Sequence, residues 1–425
     1  MSGEGSEPRP GPSPSSVLVL LCALMVLDFA DRQVLVAAFP YLRREWGLDD
    51  ATLGALVSVV TLTVALGALP VATLVDRWSR VRAIAAMGVV WSTASAASGF
   101  AQGPAALFAA RIGVGAGEAG YGPAGGALLA TLFPAGRRAA VLGAFQACGP
   151  LGTVVGMALG SAVAAQWGWR WAVGILAVPG LLLALAVLRV RDYPTVRTTT
   201  LGPRALAGVL RTRTVGGAVA GMVLLLVVAS SLYTWLPTHL ERGLGLAPAQ
   251  AGGLAAGVVL AGALGTGIAA VLSDRAARRD PHTRLRVPLV AGLVASALLV
   301  PAFAVLPPGP GQVVLVLLGS AAVTAAVGPA AAAVVDVTHP GVRATAVAVL
   351  VVAQNLLGLT VGPVLTGVLA GTFGLAHALA VVAVLGLVAA AAFGRAARAY
   401  PADLAVIRGD ATAAAAGARP AGREV

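Results

Sequence analysis

The chain has 425 residues, of which 58% are hydrophobic and 11% charged. A soluble protein of that length carries roughly a quarter charged residues to cover its surface, so this composition excludes an ordinary water-soluble globule. The formal net charge of +12 raises nucleic acid as a partner, but the arginines recur in short clusters between apolar runs and not along one face. That distribution excludes a phosphate-binding surface and marks topology signals instead.

A membrane-spanning helix needs about 20 mostly apolar residues. Twelve segments qualify: 17–40, 52–75, 82–101, 105–132, 139–165, 169–188, 215–239, 249–272, 287–306, 312–336, 344–370 and 373–394. The runs are too long for strands and do not alternate with a period of two. In chain order, residues 1–15 are Pro, Gly and Ser-rich and are predicted to be a disordered cytoplasmic N-terminus. The first span reads "LMVLDFADRQVLVAAF" and carries Asp28, Asp31 and Arg32 inside an apolar run. Those charges, and the lack of a small-residue cleavage site, argue against a signal peptide. The second span ends in "LVDRWSRVR", with Asp76, Arg77 and Arg80. The fourth holds Arg111 and Glu118, and the fifth, "GAFQACGPLGTVVGMALG", is spaced by Gly149, Gly152, Gly156 and Gly160, which allow close helix packing.

The longest internal connection, 190–214, then divides the chain into predicted six-helix bundles at 16–189 and 215–399. The eighth span ends in "LSDRAARRD", so Asp274, Arg275 and Arg278 repeat the element that closes the second. The same element at the same place in each half marks a duplicated transporter architecture. The segment 400–425 is low in complexity and is predicted to be a disordered cytoplasmic tail. With both termini inside, 23 arginines are cytoplasmic and four (Arg43, Arg44, Arg170, Arg242) are outside, which sets the orientation.

The two cysteines lie inside apolar runs, and the four histidines lack metal-ligand spacing. There is no phosphate loop, nucleophile elbow or dinucleotide fingerprint, so neither an enzyme nor a metal site is expected. The informative groups are the charges at mid-membrane. Asp31 lies about fourteen residues from the cytoplasmic end of its span, near the bilayer centre at about 1.5 Å per residue, and Glu118 lies at similar depth on an antiparallel span. Arg111 precedes Glu118 by seven residues and shares its helix face. Each isolated charge at that depth costs roughly 2.5–3.5 kcal/mol, so all five should face a cavity between the halves and pair. Two arginines against three carboxylates leave one acid without a full partner, and burial disfavours its charged form. Asp31 and Glu118, with Asp28, are therefore the expected proton carriers, and Arg32 and Arg111 their partners or the grip on an anionic headgroup. Tyr121, Gln146, Tyr233, Thr234, Trp235, Gln354 and Asn355 are candidates to line a substrate cavity.

On these residues the chain resembles the major facilitator superfamily. The Asp-Arg connection after the second span is similar to that superfamily's gating motif, with Ala72 where Gly usually stands, and the fifth span resembles the glycine-rich motif of its antiporters. Within it, "DFADR", "ARIGVGAGEAGYGPAG", "ALPVATLVDR" and "GWRWAV" resemble the spinster family, which usually has Asn in place of Asp28. The resemblance implies an all-α fold of two pseudo-symmetric bundles and export or redistribution of amphipathic lipids such as lysophospholipids and sphingoid phosphates. Proton-coupled organic-anion symporters share a similar Asp-Arg and Arg-x6-Glu pattern, which implies sugar-acid uptake as the alternative. Broad drug/proton antiport is a further one.

The expectation is a monomeric, multi-pass protein of the cell membrane, driven by the proton gradient with no cofactor. Its two bundles would rock about a small-molecule or lipid substrate, and its Asp76 and Asp274 elements would latch the cytoplasmic side.

Overall fold

The computed structural model of the chain describes residues 12–77, 79–190, 212–339 and 343–417, and the regular elements among them are helices. In lipid every backbone polar group must be satisfied within the chain, and a helix does this inside one segment. The first half contains α1 (Pro14–Ala37), α2 (Phe39–Trp46), α3 (Asp50–Arg77), α4 (Arg80–Gly99), α5 (Pro104–Glu118), α6 (Tyr121–Leu132), α7 (Ala135–Trp167), α8 (Trp169–Gly174) and α9 (Ala177–Val187). The second contains α10 (Arg213–Leu244), α11 (Pro248–Arg279), α12 (Arg286–Ala304), α13 (Pro310–Ala325), α14 (Val327–Asp336), α15 (Arg343–Ala353), α16 (Val361–Phe373), α17 (Leu375–Ala383) and α18 (Leu385–Gly417). A π-helical turn, Gln354–Leu359, joins α15 to α16.

Among the described residues, ten helices are long and apolar enough to cross a membrane. The predicted spans 82–101 and 105–132 are helical but are not among the ten. The first of them, α4, opens on Arg80 and Arg82 and ends in a Ser-rich run. The second is broken at Ala119 and Gly120 into α5 and α6, of 15 and 12 residues.

The duplication shows in the backbone. Among the described residues positive φ occurs at Gly47 (64°), Gly168 (87°), Gly245 (66°) and Gly374 (78°). Gly47 and Gly245 end the helix before the second and eighth spans in the left-handed conformation, where a side chain would be strained. Gly168 and Gly374 open the sixth and twelfth. Each half thus turns at the same two places.

The chain forms two compact units. One holds residues 1–48, 59–198 and 247–256, and the other 49–58, 199–246 and 257–425. Each unit therefore includes the first nine residues of a helix from the other half of the sequence. In the second unit Asp50, at the start of α3, takes a two-pronged ion pair from Arg242 at the end of α10 (2.9 and 3.0 Å).

In the first unit α7 lies directly on α1. A Cβ at Gly156 would come 2.6 Å from Ala30 Cα, and one at Gly160 2.9 Å from Val34 Cα. The glycines of the fifth span thus let α7 approach the backbone of the helix that carries Asp28, Asp31 and Arg32. Leu21, Met25, Ile84, Met87, Val114 and Phe145 fill the core around it.

The predicted disordered tail begins instead as helix, because α18 continues through Gly417. Tyr400 and Leu404 are buried, and the Asp403 carboxylate accepts from the Thr214 N–H (3.0 Å) and hydroxyl (2.6 Å). The alanine-rich composition that reads as low complexity is also strongly helix-forming. Residues 1–11, 191–211 and 418–425, covering the rest of the predicted disordered ends and most of the 190–214 connection, lie outside the described residues.

Candidate functional site

The five mid-membrane charges all belong to the first unit and sort into two groups. Arg111 and Asp31 form the first. The Arg111 Nη1 donates to Asp31 Oδ2 at 2.8 Å, and neither side chain is exposed. The Ser95 hydroxyl donates to the other carboxylate oxygen of Asp31. Arg111 Nε and Nη2 donate to Ser98 Oγ (3.3 and 3.0 Å), whose own hydrogen goes to the Ala94 carbonyl. This group is electrically balanced and its hydrogen bonds are well supplied.

The second group is a trio with one cation and two acids. Arg32 Nη2 stands 2.7 Å from Glu118 Oε2, and Arg32 Nε stands 3.6 Å from Asp28 Oδ1, one helical turn back on α1. The guanidinium lies 5.2 Å above the Phe29 ring centroid. The Asp28 and Glu118 carboxyl groups thus share one guanidinium. As two carboxylates neither can donate, and Glu118 Oε1 and Oε2 and Asp28 Oδ1 make no hydrogen bond among the described groups. Both acids are buried, Asp28 at 8% exposure and Glu118 at 5%. A single proton on either acid would neutralise the trio.

The expected partnership of Asp31 with Glu118 is thus not what the structure assembles. Neighbouring residues on a helix point about 100° apart, so Asp31 and Arg32 serve different clusters. Asp31 goes to Arg111 and the α4 serines, and Arg32 goes to Glu118 and Asp28. A count of charges in the sequence does not find these α4 residues. Their signal is spacing: Trp91, Ser95 and Ser98 recur at i, i+4 and i+7, the signature of one helix face.

A small cavity of about 20 Å³ opens beside the trio, lined by Asp28, Glu118, Trp91 and Tyr121, with Leu24, Gly88 and Gly117. The Tyr121 hydroxyl donates to the Leu21 carbonyl, and its ring lies 6.3 Å from Phe145, which clasps α6 to α1 and α7. Gln146 is exposed on α7.

The second unit holds the remaining cavity candidates, most of them in hydrogen-bonded positions. Tyr233 pairs with Ser320 Oγ at 3.0 Å, and Ser320 donates to the Val258 carbonyl. Thr234 is buried, and Trp235 Nε1 donates to the Pro363 carbonyl at 3.0 Å. Gln354 and Asn355 begin the π-helical turn. Gln354 Nε2 donates to Met222 Sδ, and the Asn355 carbonyl accepts from both the N–H and the hydroxyl of Thr360. Such turns often occur where a helix has a functional task.

Of the gate residues, Asp274 Oδ1 lies 3.5 Å from Arg284 Nη2, and Arg284 Nη1 reaches Asp336 at 2.8 Å. Asp336 also accepts from the Tyr400 hydroxyl at 2.8 Å. Arg284, Asp336 and Tyr400 are the members of this cluster that the repeated Asp-Arg element does not reveal. Arg275 and Arg278 are both exposed, and Arg80 is half-buried at the start of α4. The Asp76 and Arg77 side chains lie outside the described residues.

Comparison with known proteins bears on this architecture. Residues 21–358 match the family described as Major Facilitator Superfamily. An MFS-type efflux pump of Mycolicibacterium smegmatis is 31% identical over 85% of this chain and 86% of its own length. A probable L-galactonate transporter of Escherichia coli K12 is 27% identical over 67% of each chain. The Drosophila melanogaster protein spinster is 26% identical over 82% of this chain and 61% of its own length. A crystal structure of a bacterial homologue of the human lysosomal transporter Spinster, inward-facing and occupied, matches with a TM-score of 0.83 at 24% identity, covering 94% of this chain and 99% of the other. The all-helical fold, its apolar spans and the match over residues 21–358 lead to one conclusion: the chain is a multi-pass membrane protein of the major facilitator superfamily, a transporter family in which spinster proteins are among its relatives.

Proposed function

We propose that the protein is a proton-coupled secondary transporter, not an enzyme, that exports an amphipathic lipid-like or drug-like molecule by alternating access. Twelve spans in two bundles, with both termini cytoplasmic, would place it in the cell membrane as a monomer.

The observation that carries the proton assignment is the charge count of the Arg32, Asp28 and Glu118 trio. A buried ion pair is tolerated when it is balanced and hydrogen-bonded, and an unpaired buried charge is not. Arg111 and Asp31 satisfy that condition without a proton, and the trio satisfies it only with one. Asp28 and Glu118 are therefore the pair that loads and releases a proton, and Asp31 with Arg111 is the fixed frame beside it. When both acids are ionised, the site carries one net negative charge and has reason to seek a cation from solution. The proton gradient supplies the energy, with no cofactor.

The efflux and spinster names among the relatives, together with apolar helices through most of the chain, favour an amphipathic cargo. A second reading is proton-linked uptake of a small organic anion. The L-galactonate relative favours it, because Arg32 could hold a carboxylate once its own acids are neutral.

Glu118→Gln in proteoliposomes is the test. The variant should lose substrate-dependent proton flux while still binding substrate. Unaltered flux would overturn the assignment. Competition by a hexuronate against competition by a lysophospholipid separates the two cargo classes.

A further inference from the structure

Neither the small cavity beside the trio nor Trp91 takes part in the proton assignment. Trp91 is 3% exposed, and its Nε1–H makes no hydrogen bond among the described groups. A buried indole N–H normally finds a partner. Glu118 Oε1 and Asp28 Oδ1 lack one as well, and all three residues line the same cavity of about 20 Å³. A single water needs roughly 10–15 Å³ and two to four polar partners. The cavity offers the volume, one donor and two acceptors.

The indole is held in place from two sides. A Cβ at Gly117 would come 2.5 Å from Trp91 N, so the α4 backbone rests on the turn that presents Glu118. A Cβ at Gly180 would come 2.8 Å from the far edge of the ring. Both positions are glycine, which lets α4 seat Trp91 between α5 and α9. Leu24 and Gly88 complete the lining of the cavity.

We propose that this cavity is a binding site for one structural water, oriented by Trp91 and shared by the carboxyl groups of Asp28 and Glu118. The water accepts from Trp91 Nε1–H and donates its two hydrogens to the acids. It supports the ionised form of the pair, because among the described groups these carboxylate oxygens have Arg32 as an ion-pair partner and accept no hydrogen bond. Trp91 is then a positioning residue, since it acts on the proton site through the water. The effect on transport rests on the proton assignment above, and the water site itself does not.

Trp91→Phe removes the N–H and keeps an aromatic ring. The test records pH-jump infrared difference spectra of the full-length protein in H₂¹⁶O and H₂¹⁸O, together with the pH profile of transport. The wild-type spectra should contain a water O–H band that moves with the oxygen isotope. The band should vanish in Trp91→Phe, and the transport midpoint should move by roughly one unit toward higher pH, the worth of one hydrogen bond to a charged group.

Leu24→Phe guards against misfolding of the first variant. It fills the cavity without touching the N–H and should remove the same band. A band that persists in folded Trp91→Phe overturns the water site, and an unmoved midpoint with transport intact overturns its positioning role at the acids. Glu118→Gln separates the two inferences. If it leaves proton flux unchanged, the coupling assignment falls, while the Trp91-dependent band still decides the water site.

Discussion

Arg111 and Asp31 meet where neither is exposed, and that determines what each substitution does. Removing one partner leaves the other charged and buried, which costs about 3–5 kcal/mol. Arg111→Gln and Asp31→Asn should each lower folded yield and thermal stability in detergent by that order. The double variant should recover most of the loss, because two neutral amides can hydrogen-bond to each other and to the α4 serines. Recovery is the informative result, since a residue that cycles protons would not be restored by neutralising its partner. At this scale the sequence was legible for the existence and depth of the five charges. It was not legible for their pairing. Partner choice depends on helix rotation, and Ser95 and Ser98 settle it with short uncharged side chains that no charge count detects.

Helices carry their own tests. Gly152, Gly156 and Gly160 recur every fourth residue on the face of α7 that meets α1, because the backbones touch there. Gly156→Val should overpack the contact by about 1–3 kcal/mol and displace the helix that bears Arg32. Gly143, on the same helix, has open space within 4 Å of where a methyl group would stand, so Gly143→Ala should be neutral or slightly stabilising. Thermal unfolding of the two variants side by side checks the contrast.

At the end of α2, Glu45 is clamped by Arg170 (2.6 and 2.9 Å) and by the Trp169 N–H (2.7 Å). Arg170 and then Trp169 hold its carboxyl below the ordinary range. A group with a lowered folded value stabilises above its unfolded value of about 4.3 and loses that contribution as pH falls through the lowered one. Glu45→Gln should therefore flatten the acid limb of stability by lowering stability at neutral pH, and only slightly, because the clamp is partly exposed. Most element positions were readable from apolar runs alone. The breaks at Ala38, Ala119 and the π turn were not, because a kink leaves hydropathy unaltered.

For the molecule as a whole, concentrative transport requires that proton binding and substrate binding be mutually dependent across the cycle. An isolated proton site does not concentrate anything. On the proposed coupling, the buried charges that would supply this dependence sit in the first unit, and the trio would separate a pump from a passive carrier. The Asp-Arg element repeated at the ends of the second and eighth spans made the duplicated transporter architecture legible from sequence. The pairing of the trio was not, because the second half carries no counterpart of these mid-span charges for a repeat to reveal. Asp28→Asn removes the surplus acid and leaves Arg32 and Glu118 as a balanced pair, which has no need of a proton in either access state. The variant should still exchange substrate across proteoliposomes. It should stop at equal concentrations inside and outside, and an imposed pH gradient should no longer shift that end point. The membrane potential is worth about 2.3 kcal/mol per charge per 100 mV, so an electrogenic wild type should accumulate substrate under a potential that leaves the variant unmoved. Accumulation by Asp28→Asn equal to wild type would place the coupling proton elsewhere.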